Sequence, residues 1–181
     1  RHLLVILVLA ITIWTARYAQ SAHFGLYEDD YTRTPSALSM TWTEFIKQVL
    51  LGDSSAGFSR LTEHGKLLHS PMIYTLSFLG GKLNGLEGVY WVGFAVCVLN
   101  AWLFYLLLRR VGTPAFAGVG ALAYSLYSAD TTQAMLTISL GLQPSLTFLL
   151  LAFHSYLSGK KLLAYGLAGL ILLNYESPFP V

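Results

Sequence analysis

The feature that most constrains this chain is the stretch from Val89 to Leu108, twenty residues without a charged side chain, closed at once by Arg109-Arg110. A helix needs about 20 predominantly apolar residues to cross the roughly 30 Å hydrocarbon core of a bilayer, so this run alone predicts a membrane span. Comparable runs recur at Leu3 to about Ala19, Val111 to Ala129, Ile138 to Leu157 and Leu162 to Tyr175. Only Arg17 interrupts the first, near its end, where a long side chain can snorkel to the surface. Of the 181 residues 55% are hydrophobic and 11% charged, against about 25% charged in a soluble domain. The expected fold class is therefore all-α, a polytopic transmembrane bundle forming a single membrane domain over 1–181. Its five spanning helices are expected at 3–19, 89–108, 111–129, 138–157 and 162–176. A net charge of +2 with scattered basic residues gives no nucleic-acid footprint. The one cysteine, Cys97, lies inside an apolar run and reads as packing.

Between the first and second runs, residues 20–87 hold seven of the nine acids and form a large loop. Thr41 with Glu44 three residues later is a capping box, and Trp42, Phe45, Ile46, Val49 and Leu50 then recur at helical spacing. An amphipathic helix over 42–51 follows; its apolar stripe suits the interface plane or the protein's own helices, and the expectation is an interfacial helix on the outer surface. A second short interfacial helix is expected over 71–79, begun by Ser70-Pro71 and stopped by Gly80-Gly81, too short to span and so lying on the membrane surface or re-entering it. Ala117, Ala121 and Ser125, four residues apart, predict a close helix contact.

Arg109, Arg110, Lys160 and Lys161 occupy two short connections that contain no acid, which places those connections in the cytoplasm. Alternation then puts the N-terminus inside and all nine acids outside. The host is a plasma or inner membrane, or the endoplasmic reticulum of a eukaryote. The chain opens at Arg1 rather than Met and stops at Val181 directly after a hydrophobic run, which reads as a portion of something longer.

Two places carry candidate chemistry. Tyr27-Glu28-Asp29-Asp30-Tyr31 sets three carboxylates side by side directly after the first helix emerges. Their mutual repulsion calls for a cation or a metal, and such a cluster can supply a general base, a metal ligand or both. The bland alternative is a solvated acidic loop. Glu176 is the second place. Only 14 residues separate it from Lys161, about 21 Å of helix, so its carboxylate falls short of the far surface and needs a watery cavity or a partner, the bland alternative being that tilt, bilayer thinning or a longer helix carries it to the headgroups. His64 and His69 with Glu63 lack the spacing of a zinc-binding helix, and His154 reads as an interface or helix-contact residue rather than a ligand.

In order and topology these landmarks resemble the polytopic glycosyltransferases of the GT-C fold, particularly the protein O-mannosyltransferase-like group. The residues that carry the resemblance are Glu28-Asp29-Asp30-Tyr31 after the first helix and the stretch from Arg60 through a Gly-rich turn to Arg110. Leu172-Leu173-Asn174-Tyr175-Glu176-Ser177 ends the last helix in an acid. The chain departs where the related pattern often reads Arg-Pro, here Arg60-Leu61, and where Cys97 stands near an expected His. It departs again where Tyr175 takes the place of a basic residue before the final Glu. The resemblance implies transfer of a sugar from a polyprenyl-phosphate donor to an acceptor hydroxyl at the outer face, with inversion. It implies Asp29 as general base, Asp30 as its orienting or metal-binding partner, and Glu176 as a further catalytic acid. Glu28, Arg33 and Arg60 would bind substrate, the arginines by matching phosphate oxygens in a fork. A divalent cation held by Asp29 and Asp30 is compatible with it. The implied partners are membrane lipids, the lipid-linked sugar and other membrane subunits. The alternative is a non-catalytic GT-C-like transmembrane subunit that scaffolds a larger complex.

Overall fold

A computed structural model describes residues 2–50, 67–127 and 135–174, all-helical with no strand among the described residues. Seven α-helices follow in order: α1 His2–Ile13, α2 Asp30–Ser39, α3 Trp42–Phe45, α4 His69–Leu108, α5 Pro114–Ser125, α6 Gln143–Leu157 and α7 Lys161–Asn174. Wider π-helical turns extend α1 over Trp14–Tyr18 and α3 over Ile46–Leu50, and another precedes α6 over Ile138–Leu142.

Three helical stretches are long and apolar enough to cross a membrane: His2–His23, His69–Leu108 and Ile138–Leu157. Large apolar side chains cover their outer surfaces, Leu3 being 79% exposed, and those of α7, where Leu162 is 89% exposed. So much exposed hydrocarbon is consistent with integration in a membrane. Five crossings were expected, and three meet the requirement. α5 and α7, with 12 and 14 residues, extend only about 18 and 21 Å, short of the core.

The C-terminal half of α4, residues 86–108, is the central post. α1 lies antiparallel along it: His2 meets Tyr105, Trp14 meets Phe94 edge-on at 5.1 Å, and Phe24 meets Tyr90 at 5.2 Å. α6 runs parallel on another side, from Ser139 beside Gly93 to Ser158, whose hydroxyl accepts from Arg110. Two ends of the bundle are thereby defined. Glu28, Asp29 and Glu87 mark an acidic end, and Arg109, Arg110, Lys160 and Lys161 a basic one.

Buried polar side chains lock these helices. The Asn100 amide donates to the Gln143 backbone and side-chain carbonyls at 3.0 and 2.9 Å and accepts from Thr147 at 2.6 Å. His154 Nε2 donates to the Leu103 carbonyl, the helix-contact role expected for it. Asn174, at the end of α7, donates to Gly141 O and Ser145 Oγ. In an apolar surround such groups hold helices together because the alternative is an unmet donor. Ala117 and Ala121 are fully buried and Ser125 nearly so, as the four-residue spacing predicts. Arg17 spans from α1 to the end of α5, donating to the Ser125 and Tyr127 carbonyls, so its cation satisfies the C-terminal end of a helix dipole.

The chain folds back within α4. Asn84 and Gly85 leave helical geometry, Gly85 with φ +55°, the left-handed region that glycine enters without steric cost. Residues 69–83 therefore pack as a hairpin against 86–108. This corrects the expected stop at Gly80-Gly81: the helix continues through both glycines, which serve close approach. A Cβ on Gly80 would lie 2.5 Å from Val89 Cα, and one on Gly81 would meet the Leu38 side chain of α2. The crossing expected to open at residue 89 opens at the hairpin bend instead.

The Thr41–Glu44 capping box forms as read, with mutual bonds of 2.7 and 3.3 Å. The Thr41 backbone N–H, and then its hydroxyl, hold the Glu44 carboxyl below its ordinary range. Within the protein, the aromatic residues of this apolar stripe pack on α4, while Trp42 and Ile46 stay exposed. Phe45 stacks on Phe78 at 4.4 Å and Trp42 meets it edge-on at 4.7 Å.

Candidate functional site at the acidic end

α1 ends in its wide turn and a short 3-10 turn over Ser21–His23, after which Phe24 to Tyr27 runs extended. Tyr90, on the central post, donates its hydroxyl to Gly25 O at 2.6 Å and fixes this strip against the bundle. Glu28 then turns the chain with φ 39°, an uncommon backbone for a non-glycine residue, and α2 begins at Asp30.

Asp30 is fully buried, and both carboxylate oxygens are occupied. Oδ1 accepts from the Thr137 backbone N–H at 2.7 Å and the Thr137 hydroxyl at 2.8 Å. Oδ2 accepts from Leu136 N–H at 3.1 Å and from Tyr27 N–H at 3.2 Å. Leu136 and Thr137 open the helical stretch that leads into α6, whose first N–H groups lack intrahelical acceptors. A carboxylate from 106 residues earlier supplies them and meets the positive end of the helix dipole. The acidic segment is pinned to the far half of the chain by this single side chain.

The neighbouring acids are free of such duties. Asp29 and Glu28 are exposed, and Asp29 engages through its backbone carbonyl, which accepts from the Thr32 hydroxyl at 2.6 Å. Arg33, half-buried one turn into α2, lies within electrostatic reach of Tyr74 on the hairpin helix. Glu28, Asp29, Asp30 and Arg33 thus share one turn and the helix it starts. Arg60 and Glu176 lie outside the described residues, as do Glu63 and His64. The last described residues before Glu176 bear on the same region. Asn174 bonds to Gly141, which follows the Asp30-bound Leu136 by about 7 Å of helix, and Leu173 O accepts from Leu68 N at 2.8 Å.

A cation shared by Asp29 and Asp30 does not fit this geometry, because Asp30 already faces four N–H and O–H donors and turns no lone pair outward. Among the described residues no three His, Cys, Asp or Glu side chains converge as a metal-binding set. What the arrangement offers chemically is two exposed carboxylates, Glu28 and Asp29, on a backbone held by the buried Asp30. Thr137, Tyr27 and Tyr90, which set that geometry, were not legible as site residues. A threonine just before an apolar run was the one available signal, and it marks a helix start without naming the carboxylate that caps it. Comparison with protein-family models, curated proteins and solved structures finds no match for this chain.

Proposed function

We propose that the chain is the N-terminal membrane portion of a GT-C-like glycosyltransferase working at the outer face, with Asp29 as general base. The single observation that supports this reading is the division of labour in the acid pair. Asp30 is buried as an anchor, while Asp29 stands exposed at the start of α2 on a fixed backbone. In the reaction Asp29 removes the proton of an acceptor hydroxyl as that oxygen attacks the anomeric carbon. The bond to the lipid phosphate breaks, and the phosphate leaves with the electron pair and with inversion at carbon. Arg33 and Arg60 would receive the phosphate, and Glu176 would share the vestibule with Glu28 and Asp29. The reading takes α5 and α7 as parts of a fourth and fifth crossing, with the basic end cytoplasmic.

The competing reading, a scaffolding subunit of a larger complex, draws on the wholly structural use of Asp30. Sugar transfer by membranes carrying the intact protein separates the two. Asp29→Asn, at matched expression, should lower transfer by about 100-fold or more, the usual contribution of a positioned base. Undiminished transfer would remove Asp29 from catalysis and favour the subunit.

A further inference from the structure

At the opposite, basic end, α1 and α5 diverge around an apolar groove of about 170 Å³ lined by Leu4, Val5, Val8, Leu9, Gly118 and Leu122. We propose that this groove is a binding site for one acyl chain of an anionic phospholipid.

Three observations carry the assignment. The lining is entirely hydrocarbon, so the occupant makes no hydrogen bond there. Its volume is close to the ~150 Å³ of apolar cavities that stay dry and admit a benzene-sized hydrocarbon. The flexible end of a lipid chain fits a space of this size. Gly118 forms part of the wall, and a Cβ built there meets nothing within 4 Å, so this chain's own packing leaves the space open.

Position supplies the headgroup. Leu4 follows His2, whose ring stands at Tyr105, and Gly118 lies about one and a half turns into α5 from the Arg109–Thr113 connection. A lipid with its chain between Val8 and Leu122 therefore sets its phosphate in the layer of His2, Arg109 and Arg110. Arg110 is exposed, and a guanidinium complements phosphate. The polyprenyl donor of the proposed reaction belongs to the acidic end, so this site stands independently of that reading.

The test uses the protein reconstituted in vesicles of phosphatidylcholine and phosphatidylglycerol, extracted gently, with retained lipid counted by native mass spectrometry. One phosphatidylglycerol per chain is expected to persist in preference to phosphatidylcholine. Gly118→Leu, whose Cβ meets nothing within 4 Å and whose longer side chain occupies the groove, should lower its retention about tenfold at unchanged helicity. Should that variant fail to fold, Val8→Phe narrows the groove from the other wall and gives the same readout. Arg110→Gln should keep the lipid while erasing the preference for phosphatidylglycerol. Undiminished retention in a folded groove-filled variant overturns the proposal. So does loss of a dimer on filling the groove, which would make a second copy the occupant.

Discussion

Replacing Asp30 by Ala should destabilise the bundle by about 3 kcal/mol or more. The change strands the buried Leu136 N–H, at roughly 1–3 kcal/mol, and the half-buried Thr137 N–H and hydroxyl, at less each, and the costs are not fully additive. Asp30→Asn should fall between, since its carbonyl can still accept from Thr137 while its NH₂ faces the N–H groups of Leu136 and Tyr27. Asp29→Ala, at an exposed position, should change stability by no more than about 0.5 kcal/mol. Unfolding midpoints in mixed detergent micelles check the series. Equal midpoints for the alanine variants at 29 and 30 would contradict the anchoring role of Asp30. The contrast also makes the transfer assay interpretable, because the proposed base can be removed without unsettling the fold that presents it.

The hairpin in α4 should be nearly as sensitive. Gly88→Ala drives a methyl group into the Gly80 carbonyl oxygen, and Gly80→Ala drives one into the backbone of Gly88 and Val89. Backbone cannot swing aside as a flexible side chain can, so each substitution should cost about 3 kcal/mol, the upper range of overpacking. Gly166→Ala in α7 is the control: its added Cβ meets nothing within 4 Å, and relief of glycine's helix penalty should leave stability equal or slightly higher. Thermal unfolding of the three variants in the same micelles distinguishes them. A Gly88→Ala protein as stable as the Gly166→Ala one would show that the two halves of α4 do not touch there.

What the sequence made legible is what depends on neighbours along the chain. Composition and run length marked the spans at the N-terminus, at 89–108 and at 138–157, and the capping box at Thr41–Glu44 and the small-residue face of α5 were read from spacing alone. Gly80-Gly81 misled because a glycine pair weakens a helix by propensity, while here the hairpin's packing outweighs that penalty and uses the missing side chains. α2 is hard to see in the sequence because its residues are polar on average and Pro35 stands inside the helix. Its registration comes instead from Asp30 and from burial of Thr34 and Ala37. The site was half visible. An acid cluster after the first helix stood out, but the different fates of Asp29 and Asp30 rest on Thr137, and no local pattern pairs residues so far apart.

The central claim is that the bundle has one acidic and one basic end and that the acidic end, with Asp29, faces the outer compartment. Labelling from one side of the membrane tests it most directly. With the buried Cys97 replaced by Ala, a cysteine at exposed Tyr31 and another at exposed Lys160 report the two ends separately. An impermeant thiol reagent applied to intact cells should modify Tyr31→Cys and reach Lys160→Cys only after the membrane is opened. Modification of Lys160→Cys from outside, with Tyr31→Cys protected until permeabilisation, would invert the topology and contradict the account.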